Sequence, residues 1–521
     1  MQLEKRLVAE VLRSAASKHP DKPYMFYQGK AITFKELDQK TDQLAGALLQ
    51  DGFKRGDNLA IVALNQPEWL YTYFAAAKIG IGLVALNVRY RESEFNYMLN
   101  NSEAKGLVCI EALPDFNFKE FFHGFQKNVP GVEKYYFLGS GFEGSTTFES
   151  LLERDVDLDQ VEKAKTKVTE DDTVIIIYTS GTTGKPKGTM ITNKSILASA
   201  EATVDHFQIT EKDRMIGVMP LNHVGGITCL VSTSLLAGGS IVLIPYFQPD
   251  LVLKAIEQYQ GTIFGGVPTM YIYMFNHPDF EQYDTSSLRL CIAGGSNVEP
   301  KVCRAIEEKF PNGKLVNLYG LTETSGACVL SRLTDDTDRV AESIGVIIGD
   351  FQGRIVDENR QDLPIGEVGE LAIKGDCVAK GYYNMEDETS AFTPDGWVFT
   401  GDMACLDEEG YVYLKGRKKE MYIQGGYNIY PVEIENILTQ HPKVQIAAVI
   451  GVPDPKLGEI GRCYIVPGDE VDEDELKSYC RQYLADYKVP RQFVFVDELP
   501  LTPAGKVMKS TLKQSYLEGN G

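Results

Sequence analysis

A glycine-rich loop that directly follows an apolar run is the feature that most restricts how this chain can fold. The run Val174 to Ile177 is apolar, and residues 178–188 read Tyr-Thr-Ser-Gly-Thr-Thr-Gly-Lys-Pro-Lys-Gly. The run predicts a buried strand. Glycines permit positive φ, so successive backbone N–H groups can turn inward and form a concave anion site. The hydroxyls and lysines suit a polyphosphate, although the spacing is not that of the Walker loop. A flexible, exposed polar loop is the alternative interpretation.

Strand-like and helical patterns alternate along much of the chain, which predicts βαβ units and a largely parallel sheet. In order, the patterns are a strand at 57–64, a helix at 69–79, a strand at 82–86, a strand at 290–293, a helix at 300–310 and a strand at 315–319. Short strands and turns follow from about 345 to 414 and predict a smaller β-rich unit. The polar, acidic stretch 137–172 is expected to be a surface connection before the glycine-rich loop.

A charged junction, Gly416 to Glu420, separates these patterns from a compact α/β segment of about a hundred residues, a normal size for a domain. The predicted fold class is therefore α/β. A large N-terminal domain (1–415) has mixed and parallel sheets and a β-rich subdomain near 345–415. The junction (416–420) leads to a small C-terminal α+β domain (421–521).

Composition excludes several functions. The formal net charge is -21, which argues against broad binding to nucleic acid or to anionic membranes. The nine cysteines include no Cys-x-x-Cys pair and no signal peptide precedes them, so we expect reduced thiols, a cytoplasmic protein and no cysteine metal site. Residues 215–248 contain no Asp, Glu, Lys or Arg, but prolines, glycines and His223 interrupt them. A buried helix, a glycine turn and a buried strand are expected there, with no integral membrane segment.

Three further clusters carry chemistry. At the end of a predicted strand, Tyr319 offers a flat face, Thr322 a hydroxyl and Glu323 an oxygen ligand suited to Mg²⁺, although a capped helix start would use similar residues. Asp402 and Arg417 bracket a β unit and suit a ribose diol, the alternative being a turn aspartate and a surface arginine. By itself, Lys506 on its Pro/Gly-framed loop would be a solvated surface charge.

Together, and in this order, these stretches resemble the adenylate-forming superfamily of acyl- and aryl-CoA synthetases, luciferases and peptide-synthetase adenylation domains. The resemblance covers nearly the whole chain and is most like a fatty-acid or related acyl-CoA synthetase. Further matching motifs are Lys54–Asp57, Pro220–His223, Val267–Met270, Ala293–Ser296, Thr400–Asp402 and Gly425–Asn428 with Pro431 and Glu433.

The resemblance implies a two-step reaction with ATP, Mg²⁺ and coenzyme A. A carboxylate attacks the α-phosphate and expels pyrophosphate, and a thiol then attacks the acyl-adenylate and releases AMP. The implied catalytic residues are Lys506, Glu323 (also the metal ligand), Thr322 and His223. The implied nucleotide- and coenzyme-binding residues are Thr179, Ser180, Gly181, Thr182, Thr183, Gly184, Lys185, Lys187, Gly294, Gly295, Ser296, Asn317, Tyr319, Gly320, Asp402, Arg417, Lys419, Gly425 and Gly426.

The resemblance also implies that the C-terminal domain (421–521) is mobile and swings between the two steps, with 416–420 as the hinge and Lys419 as the hinge residue. Lys506 would then leave the site, and the Gly425-Gly426 loop would enter to shape the pantetheine path. Two departures from the family pattern matter: Asn193 stands where a histidine is common, and Lys509 replaces a frequent arginine, which keeps charge but loses bidentate geometry.

The acid itself is predicted only by class. His223 matches the family's carboxylate gate, the alternative being a core histidine bonded to backbone. No aspartate lies between Arg214 and Asp250 to pair a substrate amine, which favours an acid without an α-amino group. Gly225, Gly226, Gly265 and Gly266 would leave space for a tail. A medium- or long-chain fatty acid is the first expectation, and an aryl or other organic acid the second.

Other functions stay open. One is an acyl-AMP ligase that loads a carrier protein, and a weaker one is a non-catalytic nucleotide-binding protein, against which Glu323 and Lys506 argue. Expected partners are small molecules, with no nucleic acid. A homodimer and a lysine acyltransferase acting on Lys506 are further expectations, because acylation would remove the charge of that lysine.

Overall fold

The computed structural model describes residues 5–179, 186–296, 298–385, 391–501 and 507–519. The described strands, numbered along the chain, are β1 Pro23–Tyr27, β2 Lys30–Thr33, β3 Asn58–Val62, β4 Gly82–Leu86, β5 Ala104–Ile110, β6 Ala112–Leu113, β7 Phe116–Asn117, β8 Lys134–Leu138, β9 Thr146–Thr147, β10 Thr173–Thr179, β11 Lys187–Thr192, β12 Arg214–Gly217, β13 Ser240–Leu243, β14 Ile263–Gly266, β15 Leu290–Gly294, β16 Lys314–Leu321, β17 Gly326–Leu330, β18 Gly345–Ile347, β19 Gln352–Val356, β20 Gly369–Lys374, β21 Trp397–Leu406, β22 Tyr411–Arg417, β23 Tyr422–Gln424, β24 Tyr427–Ile429, β25 Val444–Asp454, β26 Gly458–Pro467 and β27 Gln492–Phe495.

Helices lie between many of these strands, as the alternation predicts. The described α-helices are α1 Val8–Lys18, α2 Phe34–Gln50, α3 Pro67–Ile79, α4 Glu92–Asn101, α5 Phe118–Phe125, α6 Phe148–Leu152, α7 Leu158–Lys165, α8 Asn193–His206, α9 Val224–Gly226, α10 Thr233–Ala237, α11 Pro249–Tyr259, α12 Pro268–Phe275, α13 Pro300–Lys309, α14 Thr337–Glu342, α15 Pro431–Leu438, α16 Glu473–Tyr483 and α17 Lys509–Leu517.

A seven-stranded sheet carries the glycine-rich loop. Its strand order is β11-β10-β4-β3-β5-β8-β9, and all neighbours are parallel except the β10–β11 pair. Strands β3 and β4 are buried at every position, as expected for a parallel sheet covered on both faces. Strand β10 confirms the predicted apolar strand before the loop.

A second sheet, of thirteen strands, runs through the rest of the large N-terminal part. Its order is β19-β20-β21-β22-β18-β17-β16-β15-β14-β12-β13-β1-β2. The strands from β1 through β13, β12, β14 and β15 to β16 are parallel, whereas β16 to β22 pair antiparallel. The β-rich stretch expected after residue 345 thus continues the large sheet through β17 and β18.

The uncharged stretch 215–248 forms buried secondary structure, as expected. Strand β12 leads into α9, a π-helix at Ile227–Ser232 and α10, and Gly238 (φ 66°) ends the helix before β13. Across the parts of the chain that the structure describes, no helix is both long and apolar enough to cross a membrane.

The expectation of a surface connection over residues 137–172 was wrong. The stretch contains β9, α6 and α7, and Phe148, Leu151 and Val161 are buried in the main core. Thr147 and Asp157 cap the two helices by accepting hydrogen bonds from backbone N–H groups. The polar residues form the outer faces of two short amphipathic helices. Because apolar residues are few in this stretch, the sequence pattern did not indicate a buried face.

A separate five-stranded sheet forms the C-terminal unit, defined here as β23 to α17. Strand β26 is central: it pairs β25, β23 and β27, and β24 pairs β23. Lys509, at the start of α17, forms ion pairs with Glu420 (3.0 Å) in the turn after β22 and Glu435 (2.8 Å) of α15. Burial opposes its charge, but the two carboxylates prevail and raise the pKa of Lys509. The lysine serves here as a point charge between two acids.

Glu299 connects the two parts of the chain. It is the N-cap residue of α13, and its carboxyl hydrogen-bonds Thr439, just after α15, while Lys301 Nζ lies 3.5 Å from Val444 O. Burial, together with the charge of Glu435, raises the pKa of the Glu299 carboxyl to about 7, although Thr439 and Lys301 act in the other direction. The carboxyl is therefore neutral below about pH 7 in this arrangement.

We predict that Glu299→Gln removes a pH-dependent loss of stability. A carboxyl whose pKa is higher in the folded state stabilises that state below its unfolded pKa, and the contribution is lost as pH rises through about 7. Glutamine keeps the neutral shape at every pH. By scanning calorimetry, the variant should match the wild type near pH 5 and unfold at a higher temperature near pH 8.

The matched control is Glu307→Gln, which changes an exposed carboxylate on the same helix. It should leave the pH profile of the wild type unchanged. Equal pH profiles for Glu299→Gln and the wild type would contradict the assignment.

Candidate active site

Two neighbouring parallel strands, β15 and β16, bring the predicted adenine-binding residues to one edge of the large sheet. Gly294 pairs with Leu318, and a Cβ at Gly294 would collide with the Leu318 carbonyl oxygen, so only glycine allows this approach. Gly295 has φ 77°, and both Gly295 and Ser296 are exposed. The strand register thus places 294–296 beside 317–320.

The end of β16 is held firmly. Asn317 is buried, its N–H donates to Ser331 Oγ (3.0 Å), and its carbonyl accepts from Ser331 N (3.1 Å). A Cβ at Gly320 would collide with Gly326 O, so the strand needs glycine there as well. A 3-10 turn over Thr322–Thr324 follows directly, in which Thr322 is buried and Glu323 is half-buried.

Asp402 joins three strands through its carboxylate. Tyr319 of β16 donates its hydroxyl to Oδ2 (2.6 Å), and Arg417 of β22 donates from Nε to Oδ1 (2.6 Å). Burial, then the Asp402 charge, raises the pKa of Tyr319 well above its ordinary value, so the phenol stays a neutral donor. A carboxylate accepts hydrogen bonds and a guanidinium donates them, which is the chemistry that a ribose diol requires. The ribose role of this pair stays a prediction.

The backbone around Asp402 is fixed from its own strand and from β20. Thr400 Oγ1 donates to Leu371 O (2.8 Å) and accepts from Asp402 N (3.1 Å). Glu370 accepts from Gly401 N (3.0 Å) and pairs with Lys418 Nζ (3.1 Å). The same contacts that position Asp402 therefore also hold the start of the predicted hinge.

Tyr382, which the sequence analysis missed, links the predicted metal ligand to the predicted phosphate loop. Its hydroxyl donates to Glu323 Oε1 (2.9 Å), and Lys187 Nζ lies 5.1 Å from its ring centroid. Residues 379–383 run beside β11, where Met190 N donates to Gly381 O (2.9 Å) and Tyr383 N to Gly188 O (2.8 Å). The Gly-Tyr-Tyr run at 381–383 was the available signal, but its pairing with β11 joins distant parts of the chain.

The oxygen atoms of Glu323 and Thr322 would suit a magnesium ion whose other ligands are water molecules and substrate phosphates. In residues 5–179, 186–296, 298–385, 391–501 and 507–519, no group of three or more His, Cys, Asp or Glu could hold a metal. Mg²⁺ is commonly bound by one or two carboxylates plus substrate phosphates. Glu323 would supply the carboxylate and the Thr322 hydroxyl a phosphate contact.

The glycine-rich loop is described only at its ends. Thr179 pairs with Lys187 across the β10–β11 hairpin, so the loop starts and returns at the sheet edge. Ser180, Gly181, Thr182, Thr183, Gly184 and Lys185 lie outside the described residues, as does Lys506. The residues that flank the Lys506 loop, Leu501 and Val507, form an antiparallel bridge.

His223 caps a helix. Its Nδ1 accepts from Gly225 N (3.0 Å), which places the proton of the neutral ring on Nε2. This bond agrees with the alternative interpretation of a histidine bonded to backbone, and the gate role of His223 stays a prediction. Thr228 Oγ1 donates to Ser325 O (2.6 Å), so the uncharged helical segment packs against the residue that follows the Glu323 turn.

The glycines expected to leave room for a substrate tail differ. A Cβ at Gly226 would collide with Pro220 O, so this glycine serves a close backbone contact and leaves no space. At Gly265 the nearest atom to an added Cβ is 3.8 Å away. The expectation of free volume therefore fails at Gly226 and remains at Gly265.

Asn193 has a structural role. It is buried, its Oδ1 accepts from Val8 N (3.1 Å), and its Nδ2 donates to Thr169 O (3.3 Å). The side chain ties α8 to the N-terminal helix and to the turn before β10. The missing histidine is thus replaced by a group that faces the protein interior.

The remaining predicted residues lie at or beyond the hinge. Lys419 is exposed in a turn in which Glu420 N and Met421 N both donate to Arg417 O. Gly425 (φ 60°) and Gly426 (φ 89°) form the two-residue turn between β23 and β24, and both need positive φ. Their assignment to coenzyme A binding stays a prediction.

Comparisons with known proteins identify the family of this chain. A family model described as "AMP-binding enzyme" matches residues 12–383, and one described as "AMP-binding enzyme C-terminal domain" matches residues 433–506. The chain is 35% identical to "Putative acyl-CoA synthetase YngI" of Bacillus subtilis (strain 168), with 98% of this chain and 97% of the relative covered. It is 32% identical to the long-chain-fatty-acid–CoA ligase of the same organism, with 99% and 96% covered.

A solved structure shows the same fold. The anthranilate CoA ligase AuaEII, in complex with anthranoyl-AMP, superposes with a TM-score of 0.89 at 26% identity and covers 98% of this chain and 97% of its own. The predicted α/β architecture, with its large N-terminal part and small C-terminal part, is confirmed.

We predict that Tyr382→Phe weakens binding of MgATP and leaves the fold intact. Phenylalanine keeps the ring beside Lys187 but removes the donor that orients Glu323. Hydrogen bonds to charged groups contribute about 1.5–3 kcal/mol, so a roughly tenfold rise in the dissociation constant by titration calorimetry is expected.

Tyr383→Phe is the matched control, because it removes a neighbouring phenol that donates to exposed Glu103 (3.1 Å). It should bind MgATP as the wild type does. A similar weakening in both variants, or in neither, would count against the role of Tyr382.

Proposed function

This chain belongs to the AMP-binding enzyme family and is an acid–thiol ligase of the acyl-CoA synthetase type, and from that premise we propose that its acid is a medium- or long-chain fatty acid. The carrying observation is the uncharged segment that borders the site. Residues 215–248 supply no Asp, Glu, Lys or Arg, and Thr228 of this segment bonds Ser325 O, beside the Glu323 turn. A charged substrate tail would find no partner there, whereas an apolar tail needs none.

In the first half-reaction the substrate carboxylate attacks the α-phosphate of ATP. The new bond joins a carboxylate oxygen to phosphorus, and the bond to the bridging oxygen of pyrophosphate breaks. We assign the ribose to Asp402 and Arg417, the adenine to the edge formed by residues 294–296 and 317–320, and the β- and γ-phosphates to the loop from Thr179 to Lys187. Glu323 would hold Mg²⁺, which supplies charge neutralisation at the phosphates.

Lys506 would act at the reacting centre. Its ammonium would contact both the substrate carboxylate and the α-phosphate and stabilise the negative charge that moves toward pyrophosphate. Because it lies on the C-terminal unit, it can be withdrawn once the adenylate has formed.

In the second half-reaction the sulfur of coenzyme A attacks the acyl carbon, the bond to the AMP oxygen breaks, and the thiol proton passes to solvent. Rotation about the Lys419 turn would remove Lys506 and bring the Gly425-Gly426 hairpin to the site. The turn is short and Lys419 in it is exposed, so a few backbone dihedrals there could absorb the motion. The pairs of Lys418 with Glu370 and of Glu420 with Lys509 also hold this turn in the present arrangement.

Two alternatives keep a specific basis. An aryl acid is the second candidate, because the similar structure AuaEII is a ligase for anthranilate. A carrier-protein thiol in place of free coenzyme A would use the same first half-reaction. The homodimer and the acylation of Lys506 by a lysine acyltransferase stay predictions, and Lys506 lies outside the described residues.

The decisive experiment is a screen of carboxylic acids for ATP-dependent AMP release with and without coenzyme A. We expect release with medium- or long-chain fatty acids, increased by coenzyme A, and an acyl-CoA product by mass spectrometry. Activity confined to aryl acids would replace the proposed substrate. Adenylate formation without thioester would indicate a carrier-protein ligase.

We predict that Lys419→Pro separates the two half-reactions. Proline restricts φ at the position that must change for rotation. Thioester formation should fall by at least about tenfold, a barrier increase of about 1.4 kcal/mol, while acid-dependent pyrophosphate exchange stays close to wild type. Lys419→Ala is the control, since it removes the charge and keeps backbone freedom. An equal loss in both assays would argue against a hinge at this residue.

A further inference from the structure

The Gly425-Gly426 hairpin is braced from inside the C-terminal unit by a single turn, Asp486–Lys488. This 3-10 turn lies between α16 and β27. Both strands of the hairpin, and the helix that follows it, make a side-chain contact with the turn. The brace has three parts, which involve Gln424, Tyr427 and Glu433.

Gln424 is the innermost part. It immediately precedes Gly425 and is 2% exposed. Its Nε2 donates to Tyr487 O (2.5 Å), and its Oε1 accepts from Gly461 N (3.3 Å). These two bonds fix the orientation of the buried amide, because turning it would leave Tyr487 O and Gly461 N without these partners.

The position of Gly461 explains why a side chain is needed. One edge of β26 pairs with β23 at Gly458 and with β27 from Arg462 onward. Gly461 lies at the change of partner, and Gln424 supplies the acceptor that the sheet lacks there. The glutamine thus joins the hairpin, the central strand and the turn at one point.

The other two parts contact the turn from residues that follow the Gly425-Gly426 loop in the chain. The ring of Tyr427, the residue after Gly426, stacks on that of Tyr487 with centroids 4.4 Å apart. Glu433, in the first turn of α15, pairs with Lys488 Nζ at 2.6 and 2.8 Å. The two-residue loop is therefore flanked by contacts to the same turn on both sides.

We infer that Gln424, with the Tyr487–Lys488 turn it binds, is a positioning element for the thioester half-reaction. This inference rests on the proposed function, in which the hairpin shapes the path of the pantetheine arm after rotation. If the Gly425-Gly426 loop enters the site by rotation of the C-terminal unit, contacts within that unit must keep the loop in shape. A displacement of about 1 Å at a reacting centre can cost about a hundredfold in rate.

The test compares the two half-reactions in Gln424→Met and Glu433→Gln. Methionine keeps the length of the glutamine and removes its amide, and Glu433→Gln releases Lys488 while leaving the hairpin sequence intact. Both variants should lower kcat/KM for coenzyme A, Gln424→Met by about tenfold or more and Glu433→Gln by less. Acid-dependent pyrophosphate exchange should stay within about twofold. Glu475→Gln, which breaks the Lys443 pair (2.9 Å) elsewhere in the unit, should change neither.

Two results would overturn the inference: an equal fall of both half-reactions in Gln424→Met, or wild-type thioester formation in both variants. Glu433→Gln frees Lys488 from its ion pair, so it would not weaken direct binding of coenzyme A by Lys488. A loss of thioester formation in this variant therefore favours the brace over direct binding. Hydrogen exchange gives an independent readout. The peptide that contains Gly425 and Gly426 should exchange faster in Gln424→Met, and unchanged exchange would again overturn the inference. If the wild type shows no acid-dependent exchange of pyrophosphate, the proposed function fails, and the hydrogen-exchange result still decides the brace.

Discussion

The arrangement of the site depends on the two interactions that the Asp402 carboxylate makes, with Tyr319 and with Arg417. The carboxylate accepts from Tyr319 and Arg417, which lie on β16 and β22, while Asp402 itself lies on β21. Asp402 is 4% exposed, so its charge requires both partners. Removing one partner of a buried pair typically costs about 3–5 kcal/mol, because the remaining charge stays buried. Arg417 is also the last residue of β22, after which the chain leaves the large sheet.

Around this carboxylate, the site is assembled by backbone approaches that only glycine permits. Gly294 and Gly320 each bring a backbone carbonyl into the space of a side chain. Those approaches bring β15 close to β16 and β16 close to β17. Tyr382 then closes the other side, because residues 379–383 bind along β11 and carry the phenol to Glu323. The site is consequently held by sheet registers more than by flexible side chains.

The parts that could be predicted are those with a local signal. The strand at 82–86 was predicted to the residue, and the apolar run before the glycine-rich loop was correctly assigned to a strand. Helices α6 and α7 were missed because only a few apolar residues in a polar stretch face the core. Tyr382 could not be predicted because its role follows from the pairing of 379–383 with β11, and the Gly-Tyr-Tyr run at 381–383 does not indicate which strand it pairs with. His223 shows a third limit: its residue type suggested a gate, whereas its bond to Gly225 N can be known only from the folded helix start.

If the C-terminal unit rotates, the contacts inside it and the contacts between it and the N-terminal part must behave in opposite ways. Contacts inside the moving unit have to survive rotation, and Gln424 is buried with both amide ends bonded, as such a contact requires. Contacts across the interface have to break without a large penalty. Glu299 meets this demand: while buried against Thr439 its raised pKa keeps it neutral, and once exposed it can ionise in water. Release of that proton favours separation as pH rises through about 7. Lys509 stands between the two cases, because it joins α17 to the predicted hinge turn through Glu420 and to α15 through Glu435.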